Sequence, residues 1–162
     1  AKCAPPLRPD ADRRALLEQV RAGLVDTIGS DHSPAPWHLK IDTDFYRVWG
    51  GISGVQHLVP LVIDAGLDPE LVARLTAGRV AARFGLRSKG RIETGYDADL
   101  TLVEIGPPVT VTRASLLYRH PHSPYEGRVI RAQVRRTILR GRTVFHEGVV
   151  TASGGGRLLM PS

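Results

Sequence analysis

Apolar positions in the first half of the chain recur with helical spacing and then give way to a short apolar run. Between Asp12 and Ala22 the leucines and Val20 follow a period near 3.6, and Gly23 stands where a helix ends. The run 24–29 that follows is β-prone and leads directly into a polar loop. Helix, tight turn, strand and loop in this order predict one half of a repeating β/α unit.

Two further helices are predicted before the chain changes character. Residues 51–65 are strongly apolar, which predicts a buried helix that is bent or interrupted near Pro60. Asp68 is followed by a proline, a typical helix start with an N-cap and a proline at the first helical position. That helix is expected to run to about Arg83 and to stop at Gly85.

After Gly85 glycines separate short β-prone runs. These runs lie at 100–103, 109–111, 129–139 and 143–145. They predict short antiparallel strands, distinct from the α/β first half. One strand with two or three helices cannot close a barrel, so the first half reads as the end of a βα series. The pattern therefore divides the chain into residues 1–86, residues 87–150 and a flexible tail at 151–162.

Composition narrows the class of protein. The apolar share of 42% is ordinary, and no apolar run approaches the roughly 20 residues of a membrane span, so no membrane is expected as a partner. A single cysteine, Cys3, excludes an internal disulfide framework and predicts a reducing, cytoplasmic location. The chain starts with Ala1 and its only methionine is Met160, which predicts a processed product or a piece of a longer protein.

The positive net charge of the chain suggests nucleic acid as a partner. The formal net charge is +6 and the isoelectric point is near 10.1. The arginines are mostly dispersed, and the densest group, within 131–142, alternates with apolar residues. No aromatic residues interleave with a basic platform. A nucleic-acid-binding domain is therefore an alternative that the pattern does not favour.

Asp31 is the residue most suited to chemistry. It follows the predicted strand directly, and in a β/α barrel the strand ends present side chains to the substrate. The competing interpretation is a turn or helix cap, because Ser-Asp pairs are common there. His32 alternates with Asp31 along the chain and is expected to point into packing or a supporting hydrogen bond. Ser33 lacks the surroundings of a nucleophilic serine.

Weaker candidates lie elsewhere. His120 and His122 form an H-x-H pair, which suits metal binding on a strand, but the intervening proline indicates a turn. Cys3 stands beside prolines and is expected to be a packed thiol. Three aromatic residues of the loop at 35–50 either wall a pocket or anchor the loop: Trp37, Tyr46 and Trp49.

In order along the chain, these segments resemble the cyclic amidohydrolases, the group of the allantoinases, dihydroorotases and hydantoinases. The motifs that carry the resemblance are K-C-A-P-P-L-R at 2–8, G-S-D-H-S-P at 29–34 and W-G-G-I-S-G at 49–54. It continues through F-G-L at 84–86, K-G-R-I at 89–92, G-Y-D-A-D at 95–99, R-H at 119–120, S-P-Y at 123–125 and R-T-I-L-R-G at 136–141. Nearly the whole chain is covered.

Within this group the motifs look most like the allantoinase versions. Dihydroorotases usually carry asparagine where this chain has Ala4, and a further histidine where it has Ala35. Hydantoinases tend to have cysteine at the position of Ser33 and Asn-Gly at that of Gly50 and Gly51. Dihydroorotase and hydantoinase, or dihydropyrimidinase, remain alternatives, as does a non-catalytic, amidohydrolase-like scaffold protein.

The resemblance implies a fold and an activity. The fold is an α/β (β/α)8 TIM barrel with a small β-sandwich, of which this chain would be the C-terminal segment. The activity would be hydrolysis of the hydantoin ring of allantoin to allantoate in purine catabolism. Two divalent metals, commonly zinc, would be bridged by a carboxylated lysine and hydroxide. Asp31 would be the metal ligand of the last barrel strand and would carry the proton from the attacking hydroxide to the departing ring nitrogen.

The resemblance also implies substrate contacts. Backbone groups near Ala4 and Gly50 would bind the ring, Gly51 would allow close approach, and the Ser33 side chain would be a further contact. The other metal ligands and the carboxylated lysine have no counterpart in this sequence. The chain alone is therefore expected to be inactive. Its partner would be a small cyclic amide or ureide, not nucleic acid or membrane, and the full-length enzyme would be a homo-oligomer, commonly a tetramer.

Overall fold

Helices occupy the first half of the chain and strands the second, in a computed structural model that describes residues 2–152 and 154–160. The α-helices are α1 (Asp10–Arg21), α2 (Leu58–Asp64), α3 (Pro69–Ala73) and α4 (Arg79–Arg83), and the π turn Arg74–Gly78 joins the last two. The strands are β1 (Leu100–Thr110), β2 (Val129–Leu139), β3 (Arg142–His146) and β4 (Val149–Val150). Short 3-10 turns lie at Trp37–Leu39, Val55–His57 and Arg113–Ser115.

The helices of the first half share a small apolar core. Val20 of α1 packs with Leu67, Val72 and Leu75, and all four are buried. The predicted end of α1 is confirmed, because the helix stops at Arg21 and Gly23 has a φ of 77°, which glycine adopts without steric cost. These contacts fix α1 against the helical stretch 69–83.

The helix predicted from Asp68 is confirmed, with one irregularity. The Asp68 carboxylate accepts the Glu70 N–H at 2.8 Å, which satisfies one of the unpaired donors at the helix start. The π turn interrupts the regular spacing between α3 and α4. Gly85, at a φ of 64°, follows the last helical turn as expected.

The strand predicted at 24–29 is wrong, because this run has no regular secondary structure. A strand needs a neighbour for its backbone groups, and in the described part of the chain no strand pairs with this run. The Ile28 N–H donates instead to the Leu75 carbonyl at 3.1 Å. The helix predicted over 51–65 is also too long: α2 begins at Leu58, and Pro60 lies in its first turn, where a missing N–H is harmless.

The second half forms one antiparallel sheet in the order β1-β2-β3-β4. The predicted runs 100–103 and 109–111 are largely one strand, β1, whose register shifts between Ile105 and Val109 across Gly106 and two prolines. The predicted runs 129–139 and 143–145 are confirmed as β2 and β3. The all-β character of this half is therefore correct, although two predicted runs merge into β1 and the short strand β4 was not predicted.

The sheet packs against the helical half. Val111, Leu116 and Ile130 form a buried cluster that Leu61 of α2 contacts. The Asp64 carboxylate at the end of α2 accepts the Arg131 and Ala132 N–H groups of β2, at 2.9 and 3.0 Å. The two halves are thus in direct contact, and the division at residues 86 and 87 stays a prediction.

The predicted tail begins close to β3. Thr151 donates its N–H to the Val144 carbonyl at 3.0 Å, and the Arg140 guanidinium donates to the Gly155 carbonyl. Residues 153, 161 and 162 of the predicted tail lie outside the described residues, and flexibility of the tail stays a prediction. Within 2–152 and 154–160, none of the helices has the length and apolar character that crossing a lipid bilayer requires.

Candidate functional site

A parallel backbone bridge joins the two motifs that carry most of the predicted site residues. His32 pairs with Ile52, and the Ser33 N–H donates to the Ile52 carbonyl at 2.9 Å. This bridge lays the segment 30–34 alongside the segment 50–54. Residues that are about 20 positions apart in sequence therefore line one short stretch of surface.

The predicted substrate-contacting residues come together at this bridge. A Cβ placed on Gly51 would lie 2.5 Å from the Cβ and Oγ of Ser33, so only glycine fits there. A Cβ placed on Gly50 would lie 3.5 Å from the Cβ of Ala4, which places the N-terminal segment beside the glycine pair. Ala4, Ser33 and Gly50 therefore lie together over the buried Gly51, and these four residues are here called the glycine-loop surface.

Asp31 precedes the bridge and projects from it. Its φ is 44°, in the left-handed region that Asp tolerates better than most residues. Asp31 is exposed, and its carboxylate has no hydrogen bond or ion pair with any described residue. The carboxylate is thus the one unpaired acidic group on the segment that borders the glycine-loop surface, available to a ligand or a substrate.

Two lysines hold the loop that carries the glycine pair. Lys2 Nζ donates to the carbonyls of Phe45 and Val48, at 2.7 and 2.9 Å. Lys40 Nζ donates to the carbonyl of Trp49 at 3.0 Å and to that of Gly51. Burial lowers the pKa of Lys40, and the positive charge of Lys2 adds to that effect against an opposing contribution from Cys3. An ammonium group has three donors and no acceptor, so it suits a site made of carbonyl oxygens.

A histidine and tyrosine cluster supports the other side of the bridge. The Gly54 N–H donates to Nδ1 of His32 at 3.2 Å, which confirms the supporting hydrogen bond expected of His32. The His32 ring stacks on Tyr118 with centroids 5.3 Å apart. The Tyr118 hydroxyl oxygen accepts the Gln56 N–H at 3.1 Å and lies 3.2 Å from Nδ1 of His57. This cluster ties the site to the segment between β1 and β2.

Burial sets the protonation of this cluster. It lowers the pKa of His57, whose side chain is 4% exposed, and so favours the neutral ring. It also raises the pKa of Tyr118, which keeps the hydroxyl protonated. The Tyr118 hydroxyl therefore accepts the Gln56 N–H and shares a second hydrogen bond with Nδ1 of the neutral His57 ring.

The H-x-H pair does not form a ligand pair. His122 Nε2 lies 2.7 Å from the Ala35 carbonyl, and its ring meets the edge of Trp37. The segment is a bend rather than a strand, as the intervening proline indicates. The aromatic residues serve mainly to anchor the loop, since Trp49 Nε1 donates to the Ser33 carbonyl at 3.3 Å. Tyr46 is exposed, and its ring meets that of Phe45 edge-on.

The described residues bring no three histidine, cysteine or acidic side chains close enough together to hold a metal ion. One carboxylate does not bind a divalent ion tightly alone, since stable sites use three or more protein ligands. Asp31 is exposed and unpaired, so its chemistry fits a single ligand in a set that other segments would complete.

The small number of lysines is a sequence signal for their importance, and the sequence-based predictions did not include it. The chain has 19 arginines and three lysines, Lys2, Lys40 and Lys89. All three bind specific partners: two hold the glycine loop, and Lys89 bridges Asp97 and Asp99. In a chain whose basic residues are mostly arginine, each lysine therefore marks a position with specific partners.

Comparison with known proteins gives consistent results. Residues 7–145 match the profile of the amidohydrolase family. The chain is 51% identical over 166 residues to the allantoinase of Rubrobacter xylanophilus, covering 99% of this chain and 37% of that protein. It is 46% identical to the allantoinase of Solibacter usitatus, covering 99% and 36%. The chain thus spans little more than a third of these curated relatives.

Solved structures of the same kind share the fold. The L-hydantoinase (dihydropyrimidinase) of Arthrobacter aurescens superposes with a TM-score of 0.89 at 29% identity, covering 93% of this chain and 35% of that chain. The D-hydantoinase (dihydropyrimidinase) of a Thermus species gives 0.87 at 25%, covering 94% and 35%. These neighbours are TIM-barrel enzymes, and the mixed α/β chain has the fold of a segment of them.

Proposed function

The chain belongs to the amidohydrolase family, and from that premise we propose that it supplies one side of the active site of an allantoinase. The observations that support the proposal are the glycine-loop surface and the unpaired carboxylate of Asp31, which lies two residues before Ser33 in the same segment. Four positions with small or no side chains, next to one free acid, suit a flat polar ring that must approach the backbone closely.

Asp31 is the proposed catalytic residue. Its carboxylate accepts a proton from the attacking water and delivers that proton to the ring nitrogen as the amide bond breaks. A cyclic amide has a poor leaving group, so protonation of this nitrogen is needed for the ring to open. The exposed and unpaired carboxylate supports this role, because no internal partner competes for the proton.

Asp31 is also the proposed metal ligand of this chain. Divalent metal, which we take to be a pair of zinc ions, supplies polarisation of the ring carbonyl and activation of water when bound. The remaining ligands and the carboxylated lysine are proposed to come from segments outside this chain. The donor chemistry of Asp31, one carboxylate without a partner, fits a single position in such a set.

The glycine-loop surface is the proposed ring-binding site. Backbone groups at Ala4 and Gly50 bind the polar edge of the hydantoin ring, and the absence of a side chain at Gly50 lets the ring reach them. Gly51 is buried and contributes by letting the Ser33 segment pack closely against the loop. The hydroxyl of Ser33 adds a side-chain contact. Ser33 and Gly51 are held against each other by the backbone bridge, so this contact is positioned before the substrate arrives.

The remaining features follow from the same proposal. Residues 1–86 belong to the last βα units of the barrel and residues 87–150 to a β-sandwich domain. The complete enzyme is a cytoplasmic homo-oligomer of purine catabolism whose partner is a small ureide. The allantoinase names of the relatives at 51% and 46% identity support allantoin as the ring that is opened.

A second candidate function is hydrolysis of other hydantoins or of dihydropyrimidines. The superposition on the hydantoinase of Arthrobacter aurescens, with a TM-score of 0.89, favours this alternative. The backbone-lined site would accept either ring, because neither would meet a large side chain at position 50. Comparing turnover of the alternative rings separates the two functions.

The test uses a chimera in which this whole chain replaces the matching segment of the Rubrobacter xylanophilus allantoinase, to which it is 51% identical. Four substrates are compared: allantoin, hydantoin, dihydrouracil and dihydroorotate. Preference for allantoin supports the proposal, and preference for another ring replaces it with the corresponding activity. The 162-residue chain measured alone is expected to hydrolyse none of them and to bind no pair of metal ions tightly.

A further inference from the structure

Of the two lysines that hold the loop, Lys40 binds the carbonyls on either side of the glycine pair. Lys40 Nζ donates to the carbonyl oxygens of Trp49, at 3.0 Å, and Gly51. These carbonyls belong to the two peptide groups on either side of the one that joins Gly50 to Gly51. A single ammonium group therefore fixes the direction of both flanking peptides.

The direction of a carbonyl determines the direction of the N–H in the same peptide. In a planar trans peptide the C=O and N–H bonds point to opposite sides of the chain. The Trp49 carbonyl shares its peptide with the Gly50 N–H, and that peptide is trans. Because the carbonyl points at Lys40, the Gly50 N–H points away from Lys40. In the described part of the chain this N–H donates to no other group.

The bond from Lys40 to the Gly51 carbonyl restricts the position of Gly51. Gly51 is buried, and a Cβ there would overlap Ser33, so this glycine has little room to move toward the segment 30–34. The bond from Lys40 to the Gly51 carbonyl holds the other side of the residue. The loop is thus held between the Ser33 backbone and the lysine ammonium.

We infer that Lys40 is a positioning residue for substrate binding: it orients the Trp49–Gly50 peptide so that the Gly50 N–H faces the cyclic amide. This inference rests on the proposed function, because it takes the substrate to be a cyclic amide with a carbonyl oxygen to accept that N–H. Lys40 itself does not touch the ring. Its effect is on binding of the ring through the backbone donor.

The test compares Lys40→Met, Lys40→Arg and Arg47→Met in the chimera. Methionine keeps the length of the side chain without a donor, whereas arginine restores donors to carbonyl oxygens. Arg47 is the matched control: it lies in the same loop, its side chain is 74% exposed, and it pairs with Asp42 rather than with a carbonyl. The KM and kcat for allantoin are measured for each protein.

Lys40→Met is expected to raise KM by about 10- to 100-fold, because a misplaced binding group costs affinity on this scale, with kcat changed by less than about threefold. Lys40→Arg is expected to recover at least half of the loss on a logarithmic scale, and Arg47→Met to leave KM unchanged. A merely structural role would instead lower kcat through loss of folded enzyme and leave KM unchanged. That result, or an equal rise in KM for Arg47→Met, overturns the inference.

A second readout does not depend on activity. The Trp49 N–H donates to the Leu39 carbonyl at 2.8 Å, so its deuterium uptake reports whether the loop is closed. Lys40→Met is expected to speed this uptake, and Arg47→Met is not; equal uptake in Lys40→Met, Arg47→Met and the unsubstituted chimera overturns the inference. If the unsubstituted chimera hydrolyses none of the four rings, the proposed function fails, while the uptake measurement still decides the role of Lys40 in the loop.

Discussion

Ser33 and Gly51 lie so close together that position 51 has room for a hydrogen atom but not for a side chain. A Cβ at this glycine would lie 2.5 Å from both side-chain atoms of Ser33 and 2.7 Å from its carbonyl oxygen. The close approach follows from the parallel bridge between His32, the residue before Ser33, and Ile52, the residue after Gly51. The close packing of these two segments therefore depends on the absence of a side chain at position 51.

Gly51→Ala is expected to lower kcat/KM for allantoin in the chimera by at least about tenfold, because relieving the overlap displaces Ser33 or the loop at a cost of about 1–3 kcal/mol. Steady-state kinetics measure the effect. Gly156→Ala is the control, since a Cβ there meets nothing within 4 Å. Equal activity of the two variants would show that positions 33 and 51 are not part of the site.

Tyr118→Phe is expected to lower the free energy of unfolding by about 1–3 kcal/mol, because it leaves the Gln56 N–H and Nδ1 of His57 without the hydroxyl. The aromatic ring that stacks on His32 is retained, so the change isolates the hydroxyl. Urea unfolding of the chimera measures the loss. Tyr46→Phe is the control, because Tyr46 is 88% exposed. A loss no larger than that of the control contradicts the hydrogen-bonded cluster.

The pH dependence of stability is predicted from His57. Its pKa is lowered in the folded protein by burial, from an ordinary value of 6.5. As the pH falls, the unfolded chain therefore takes up a proton at His57 before the folded chain does. The free energy of unfolding is expected to decrease as the pH drops below about 7, and to stop decreasing below the lowered pKa. Thermal unfolding of the chimera between pH 8 and pH 5 measures this slope, over a range chosen from the ordinary histidine pKa of about 6.5.

His57→Gln is expected to flatten that slope, since glutamine does not titrate. The matched control is His38→Gln, at an exposed position in the turn Trp37–Leu39, which is expected to leave the slope unchanged. An unchanged slope in His57→Gln would show that the acid sensitivity arises elsewhere.

The helices and the sheet were predictable where local signals decide the structure. Asp68 caps its helix and Gly23 follows the end of α1 as their residue types require. The run 24–29 failed as a strand because pairing is not a local property: a strand forms only when another chain segment supplies partners. For the same reason the sequence did not indicate that two predicted strands form one strand, β1, with a register shift between them.

The residues of the site could be identified from sequence motifs, but the residues that hold them in position could not. Asp31, Ser33 and the glycine pair were reached through motifs, and the structure brings these segments together. Lys40 and Tyr118 act on partners 9 and more than 60 residues away, and composition alone does not reveal such contacts. The low lysine count was the one sequence signal that pointed toward Lys40.

The most direct test of the account is the rate of allantoin hydrolysis by the chimera with Asp31 and with Asp31→Asn. Asparagine keeps the size of the side chain and tolerates the φ of 44°, so folding should be unchanged. The rate is expected to fall by about 10²- to 10⁴-fold, the usual contribution of an acid–base group. Asp26→Asn, at a side chain 91% exposed, serves as the control. Near-full activity of Asp31→Asn would contradict the central claim that this carboxylate carries the proton.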